Sequence, residues 1–382
     1  MLNSFEAYYK EKHEFKDMDL SLNRIDDALS AAGFSENNLG KIVHIAGTNG
    51  KGSTAFFLEQ ISRKNGLKTA LFTSPHILKI NERISFCGIN ISDKDMDDIF
   101  KSHKNIVKKY YLTYFESVFF ISAIYFSRKK PDISIMETGM GGLYDATNTS
   151  LINNKTCVIT SIAQDHVNFL GNSIYGILNE KLGIIRKNSA VIVAKNADFV
   201  KKYIIDKGFP NEILFINEED MKSMDKYPYP YVENYHTAKK TFETVFGKQI
   251  DDDYSLRLPM CRMETSGNIV FDGSHNPQGI LSITQSMREM NINAVVFTVT
   301  AERDAVKTLT LLKRISPNIV MTTLPNNPRS INPENIRDCI FIKEPKDALS
   351  FAVNKFGGKV LITGSFYLCG YLKDIVQKGG VS

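Results

Sequence analysis

The chain has 382 residues, enough for two domains with room for a third, and 43% of them are hydrophobic against 23% charged. That balance excludes a disordered chain and supplies a core for each domain. The net charge of +5 is dispersed in pairs and triplets such as Arg128-Lys129-Lys130, which argues against a nucleic-acid partner and leaves an anionic substrate open. The five cysteines are far apart and include no CxxC pair, which fits a reducing compartment and neither a disulfide framework nor a thiolate zinc site. Met1 to Glu6 carries no apolar leader, and no stretch approaches the length of a membrane span. The expectation is a cytoplasmic protein without a membrane partner.

In chain order, Leu20, Leu22, Ile25, Ala28, Leu29 and Ala32 have helical spacing, with Gly33 as a stop. Lys41 to Ala46 reads as a short strand that runs into Gly47-Thr48-Asn49-Gly50-Lys51-Gly52-Ser53-Thr54, and Ala55 to Lys64 reads as the following helix. Strands are expected at 68–73, 133–136, 157–160 and 190–194, with helices at 115–127 and near 173–186. Such alternation predicts a mostly parallel α/β sheet with helices on both faces, whose ligands sit at the carboxyl ends of the strands. After a break near Pro259 to Gly267, strands near 268–271, 294–299, 318–323, 340–342 and 359–363 predict a second, smaller Rossmann-like α/β domain. The expected boundaries are 1–262 for the first domain, 267–382 for the second and a linker at 259–266.

The strand, glycine loop and helix together are what a phosphate site needs. Glycines allow close approach of backbone N–H groups, and the helix adds its positive end. Lys51 supplies a point charge, and Ser53 or Thr54 can reach Mg²⁺. The spacing departs from the common P-loop, because Ile45 stands at its first glycine and Gly52 separates the lysine from the hydroxyls. The expected ligand is ATP.

Further motifs follow the loop: Thr73-Ser74-Pro75-His76-Ile77, Asn81-Glu82-Arg83-Ile84, Thr113-Tyr114-Phe115-Glu116 and Glu137-Thr138-Gly139-Met140-Gly141-Gly142. Asp145-Ala146-Thr147-Asn148, Asp165-His166, Glu180-Lys181-Leu182-Gly183, Asp272-Gly273-Ser274-His275-Asn276-Pro277 and Gly364-Ser365-Phe366-Tyr367-Leu368 complete the series, which opens with Met18-Asp19-Leu20-Ser21-Leu22-Asn23-Arg24. In this order the chain resembles the ATP-dependent Mur ligase superfamily, and within it the bacterial bifunctional dihydrofolate synthase/folylpolyglutamate synthase family.

The resemblance implies a ligase that adds L-glutamate to dihydropteroate and to the tail of reduced folates through an acyl phosphate, with ATP and two Mg²⁺ sites and room for a monovalent cation. It assigns Thr48, Asn49, Gly50, Lys51, Gly52, Ser53, His236, Arg262 and Asp272 to ATP. Ser74, Glu137, His166 and a carbamylated Lys181 would hold metal, and Lys51, Lys181 and His275 would be catalytic. Asp19, Leu20, Thr113, Tyr114, Phe115, Glu116, Tyr144, Asp145 and Ala146 would take the pterin-bearing substrate, although Phe115 serves core packing equally well. Closure of the second domain onto the first would exclude water from the acyl phosphate. A monomer is expected.

Three positions depart from the family pattern. Leu143 replaces a cation, His236 stands at an adenine-contacting asparagine, and Glu302-Arg303-Asp304 replaces Asp-Lys-Asp. A cell-wall Mur ligase shares the loop and the lysine. Ser74, His76 and the Thr113 to Glu116 segment argue against it. A non-catalytic nucleotide-binding protein draws support only from Leu143 and His236.

Overall fold

The structure, a computed structural model, describes residues 4–9, 21–164, 173–221, 227–253, 255–301, 303–324, 327, 330, 331, 336 and 338–380. By its internal contacts the chain divides into a unit of Met1–Lys226 with Val232–Arg257 and a unit of Tyr227–Tyr231 with Leu258–Ser382. The expected linker therefore falls within the second unit. Glu264–Ser266 form a strand there, because Gly267 at φ +58° turns the chain back so that this segment pairs antiparallel with Ile269–Phe271.

The first unit is an eight-stranded sheet. Its strands are β1 (Lys41–Ala46), β2 (Thr69–Phe72), β3 (Ile84–Phe86), β4 (Ile89–Asn90), β5 (Ile133–Glu137), β6 (Lys155–Ile159), β7 (Val191–Val193) and β8 (Ile213–Phe215), in the order β4-β3-β2-β5-β1-β6-β7-β8. Six of these run parallel, and β3 and β4 form an antiparallel edge that no alternation in the sequence had indicated. The central strands are buried on both faces, as near-continuous apolar runs require.

Among the helices, α1 (Ser4–Tyr9), α2 (Asn23–Ala31), α3 (Lys51–Lys64), α4 (Asp93–Lys109) and α5 (Tyr114–Lys129) precede α6 (Ile174–Leu182), α7 (Asp198–Asp206) and α8 (Tyr231–Phe246). Helix α5 is buried from Glu116 to Phe126, which its aromatic and aliphatic run demands. The register aligns Ile45 with Glu137 and Ala46 with Ile159, so the turns after β1, β5 and β6 emerge side by side.

The second unit has the six-stranded order β13-β12-β11-β14-β10-β9. These strands are β9 (Glu264–Ser266), β10 (Ile269–Phe271), β11 (Ile292–Phe297), β12 (Ile319–Met321), β13 (Ile340–Phe341) and β14 (Lys359–Thr363). All pairings but β9 with β10 are parallel. Helices α9 (Pro277–Glu289), α10 (Ala305–Leu312), α11 (Pro345–Phe356) and α12 (Phe366–Gln377) connect them. Two mostly parallel α/β sheets thus match the expected fold class.

Candidate active site

The glycine loop is built by contacts that leave no room for side chains at two positions. A Cβ on Gly47 would lie 1.8 Å from Thr160 Oγ1. Gly50 caps α3 at φ +88°, and a Cβ there would lie 2.3 Å from Asn234 Oδ1. Thr48 fastens the loop to the end of β6: its N–H donates to Ser161 O at 2.7 Å and its hydroxyl to Ala163 O at 3.0 Å. The Lys51 ammonium folds back onto Gly47 O at 3.1 Å and Thr48 O at 3.3 Å. Buried Lys181, near the end of α6, donates to the same Gly47 O at 2.8 Å. Two ammonium groups thus converge on one carbonyl beside a helix N-terminus, and an anionic ligand would offset their mutual repulsion.

Glu137 ends β5 beside this loop. Its Oε2 accepts from Ser74 N at 3.0 Å, and a Cβ on Gly52 would come within 3.2 Å of the same oxygen. Ser53 is buried, and its Oγ has no hydrogen-bond partner among the described residues.

The expected substrate segments behave differently. Thr113 and Glu116 form a capping box at the start of α5, with Thr113 N donating to Glu116 Oε2 at 2.7 Å, and Arg24 pairs with Glu116 at 3.1 Å. The Thr-x-x-Glu spacing was itself the signal for such a cap. The Phe115 ring packs 5.9 Å from that of Phe72 and closes over Gly139, where a Cβ would lie 2.4 Å from it. Tyr144 is exposed, whereas Ala146 is buried.

Asp145 is also buried and is consumed internally. Its Oδ2 accepts from Gly139 N at 2.8 Å and Met140 N at 2.9 Å, and its Oδ1 from Thr147 N and Thr147 Oγ1. Thr147 Oγ1 lies 2.8 Å from His44 Nε2, and Lys155 Nζ lies 2.9 Å from His44 Nδ1 and 2.8 Å from Asn148 Oδ1. Burial raises the Asp145 carboxyl against the pull of its hydrogen bonds. Burial also lowers His44, helped by the charge of Lys155, and pulls Lys155 down to about 7.

A lysine whose folded pKa lies below its unfolded value near 10.4 is disfavoured when charged. The cost is in full force below pH 7 and fades as pH rises toward 10. Lys155→Met removes this titration. The stability of the wild type relative to that variant should therefore rise between about pH 6.5 and about pH 9 in urea denaturation. An unchanged difference would refute the assignment.

In the second unit, Asp272 follows β10 and is fully buried. It accepts from Tyr231 OH at 2.5 Å, Met263 N at 3.0 Å and Ser274 N at 2.9 Å. The Arg262 guanidinium lies 4.5 Å from the Phe366 ring centroid. His275 Nδ1 is 2.8 Å from Gly273 O, a pure acceptor, so Nδ1 carries a proton. Asn276 caps α9 through Gly279 N at 2.7 Å, with Pro277 in the first helical turn.

A family model described as the Mur ligase middle domain matches residues 45–259, which is more than half of the chain and includes the glycine loop, Glu137 and Lys181. The chain belongs to the Mur ligase family. It is 27% identical over 418 residues to the dihydrofolate synthase/folylpolyglutamate synthase of Bacillus subtilis (strain 168), covering 94% of each chain. A solved Mycobacterium tuberculosis folylpolyglutamate synthase complexed with ADP and AMPPCP shares its fold at TM-score 0.85 and 23% identity, over 97% of this chain and 99% of that one. The bifunctional folylpolyglutamate synthase/dihydrofolate synthase of Yersinia pestis, complexed with AMPPNP and Mn ion, does so at TM-score 0.84 and 21% identity, over 98% of each.

The residues of this Mur ligase fit a magnesium nucleotide. The Ser53 hydroxyl and the hard carboxylate of Glu137 suit a cation that takes the rest of its shell from phosphate oxygens and water, and the convergent lysines suit the phosphates. Among the described residues no three His, Cys, Asp or Glu side chains gather into a metal cluster of their own. Asp19, Leu20 and His166 lie outside the described residues, as does Glu302.

Asn234 was missed by sequence reading. Its Oδ1 is 3.4 Å from Thr54 Oγ1 and faces Gly50, whereas His236 is buried one half-turn further along α8 against Tyr235. Nothing local distinguishes Asn234 from a surface helix residue.

Proposed function

We propose that this Mur ligase joins the amino group of L-glutamate to the carboxylate of dihydropteroate, and to the glutamate tail of reduced folates, at the expense of ATP. The observation that carries the reading is the convergence of Lys51 and Lys181 on Gly47 O, with Gly52 of the same loop beside Glu137. The whole-length likeness to a dihydrofolate synthase/folylpolyglutamate synthase supports the choice of acid and amine.

When bound, ATP with Mg²⁺ supplies the phosphoryl group that activates the acid. The chain positions and neutralises. Lys51 would meet phosphate oxygens, and Glu137 with Ser53 and Ser74 would hold the cation. Lys181 stands at the same loop, where a carbamylated side chain would hold the cation as well. In the second unit His275 is the candidate base for the glutamate ammonium, which must lose a proton before it can attack. Phe115 and Tyr144 line the acid's approach. The protein acts as a monomer in the cytoplasm. No helix among the described residues is long and apolar enough to cross a membrane.

The test is phosphate release from ATP by purified protein with glutamate and either dihydropteroate or a tetrahydrofolate. Release that depends on glutamate with at least one acceptor is the expected result. No such release with either acceptor would overturn the reading.

A further inference from the structure

Behind the candidate site lies a chain of buried polar groups that no step above uses. Lys155 on β6, His44 on β1, and Thr147 and Asp145 in the segment after β5 are all buried, as is Asn148. The order of donors along the chain is set from one end. Asp145 receives four hydrogen bonds, so it is the acceptor terminus. The Thr147 hydroxyl must spend its proton on Asp145 and accept from His44 Nε2. His44 Nδ1 is then an acceptor, and Lys155 Nζ donates to it. Two N–H groups of Lys155 satisfy His44 and Asn148, so the amine completes the chain whether neutral or protonated. Asn148 in turn donates to Leu143 O at 2.9 Å and Gly183 O at 3.1 Å, tying the segment to the end of α6 two residues from Lys181.

The output of this chain is the turn after Glu137. Thr138 N is held by Ile45 O at 3.0 Å, and the next two amides, Gly139 and Met140, are both held by Asp145. The backbone that follows Glu137 is therefore clamped twice, once by the sheet and once by Asp145.

We propose that His44, Thr147 and Lys155 are positioning residues, which through Asp145 hold the turn after Glu137 in the shape that aims its carboxylate at the nucleotide-bound cation. The proposal rests on the role given to Glu137 above. It also changes the part played by Asp145, from substrate contact to clamp. A buried and fully satisfied network suits such a task, because it admits one geometry, whereas a half-broken network leaves unpaired polar groups that favour rearrangement.

Thr147→Val keeps the shape of the side chain and removes the hydroxyl that links His44 to Asp145. The probe is Mn²⁺ with AMPPNP, titrated by calorimetry, beside glutamate-dependent turnover and a thermal melt. In the Val variant the Mn²⁺ concentration for half-saturation should rise about tenfold, a loss typical of groups that orient a metal ligand. Turnover should fall by a similar factor, with KM for glutamate within about twofold of wild type. Thr147→Ser should restore both. His44→Gln, whose amide can accept from Lys155 and donate to Thr147, should stay near wild type.

If Thr147→Val does not fold, His44→Leu breaks the same chain and takes its place. A folded Val or Leu variant with wild-type Mn²⁺ dependence overturns the proposal, as does a Ser variant as impaired as Val. The binding titration needs no acid or amine. A wild type that binds Mn²⁺ and AMPPNP but never ligates glutamate would therefore sink the proposed reaction and leave this inference readable.

Discussion

Lys51→Ala should lower glutamate-dependent phosphate release about 10³-fold, the scale of losing one preorganised charge at a site of developing negative charge. In the structure the ammonium is parked on Gly47 O and Thr48 O, two carbonyls of its own loop. Those bonds, from a charged donor, are worth about 1.5 kcal/mol each, less than the attraction of a triphosphate, which can draw the ammonium away. Their loss in the alanine variant should move the melting temperature by only a few degrees. Lys51→Arg should also be poor. A planar fork cannot replace a point charge that must pivot between loop carbonyls and phosphate. Initial rates and thermal melts of the two variants check this. A rate within about tenfold of wild type for either would show that the loop's cation does not serve the transferred phosphate.

Glu137→Gln should cost about 10²-fold in turnover at low Mg²⁺, with part of the loss recovered as Mg²⁺ is raised. The glutamine can still accept from Ser74 N, so the local backbone keeps its partner. What disappears is the anion. Glu137→Ala should be worse and should not be rescued, because the Ser74 N–H then loses its acceptor as well. Rates measured across a Mg²⁺ series separate the two outcomes. Equal and Mg²⁺-independent losses in both variants would mean that Glu137 shapes the loop without meeting a cation.

The glycine loop and the parallel sheet around it were legible in the sequence because both are local signals. Lys41 to Ala46 is an apolar run followed by glycines, and α3 begins directly at Lys51. The pairing order β2-β5-β1-β6 was not legible, since each central strand is apolar on both faces and would pair with any other. Yet that order is what sets Glu137 beside Gly52 and Ser161 beside Asn49.

Thr113 to Glu116 teaches the opposite lesson. A motif read for substrate is also a helix cap, and its glutamate is committed to Arg24. The Asp145 chain was invisible for a simpler reason. His44 is an isolated polar residue inside β1 and Lys155 opens β6 after two asparagines, and nothing near them in sequence announces Thr147 as their partner.

By itself the amino-acid sequence determined that this protein has a glycine loop on a strand-to-helix turn, two α/β units and the residue types for acyl activation. Glycine conformation, helix capping and apolar periodicity act over a few residues, so they can be read there. Only the tertiary structure decided which donors each carboxylate meets. Glu137, at a strand end beside the loop, accepts from Ser74 N, whereas Asp145 and Glu116 are taken up by other backbone amides and Arg24. The physical reason is that a buried carboxylate must find donors, and which donors reach it depends on strands and loops far apart in the chain.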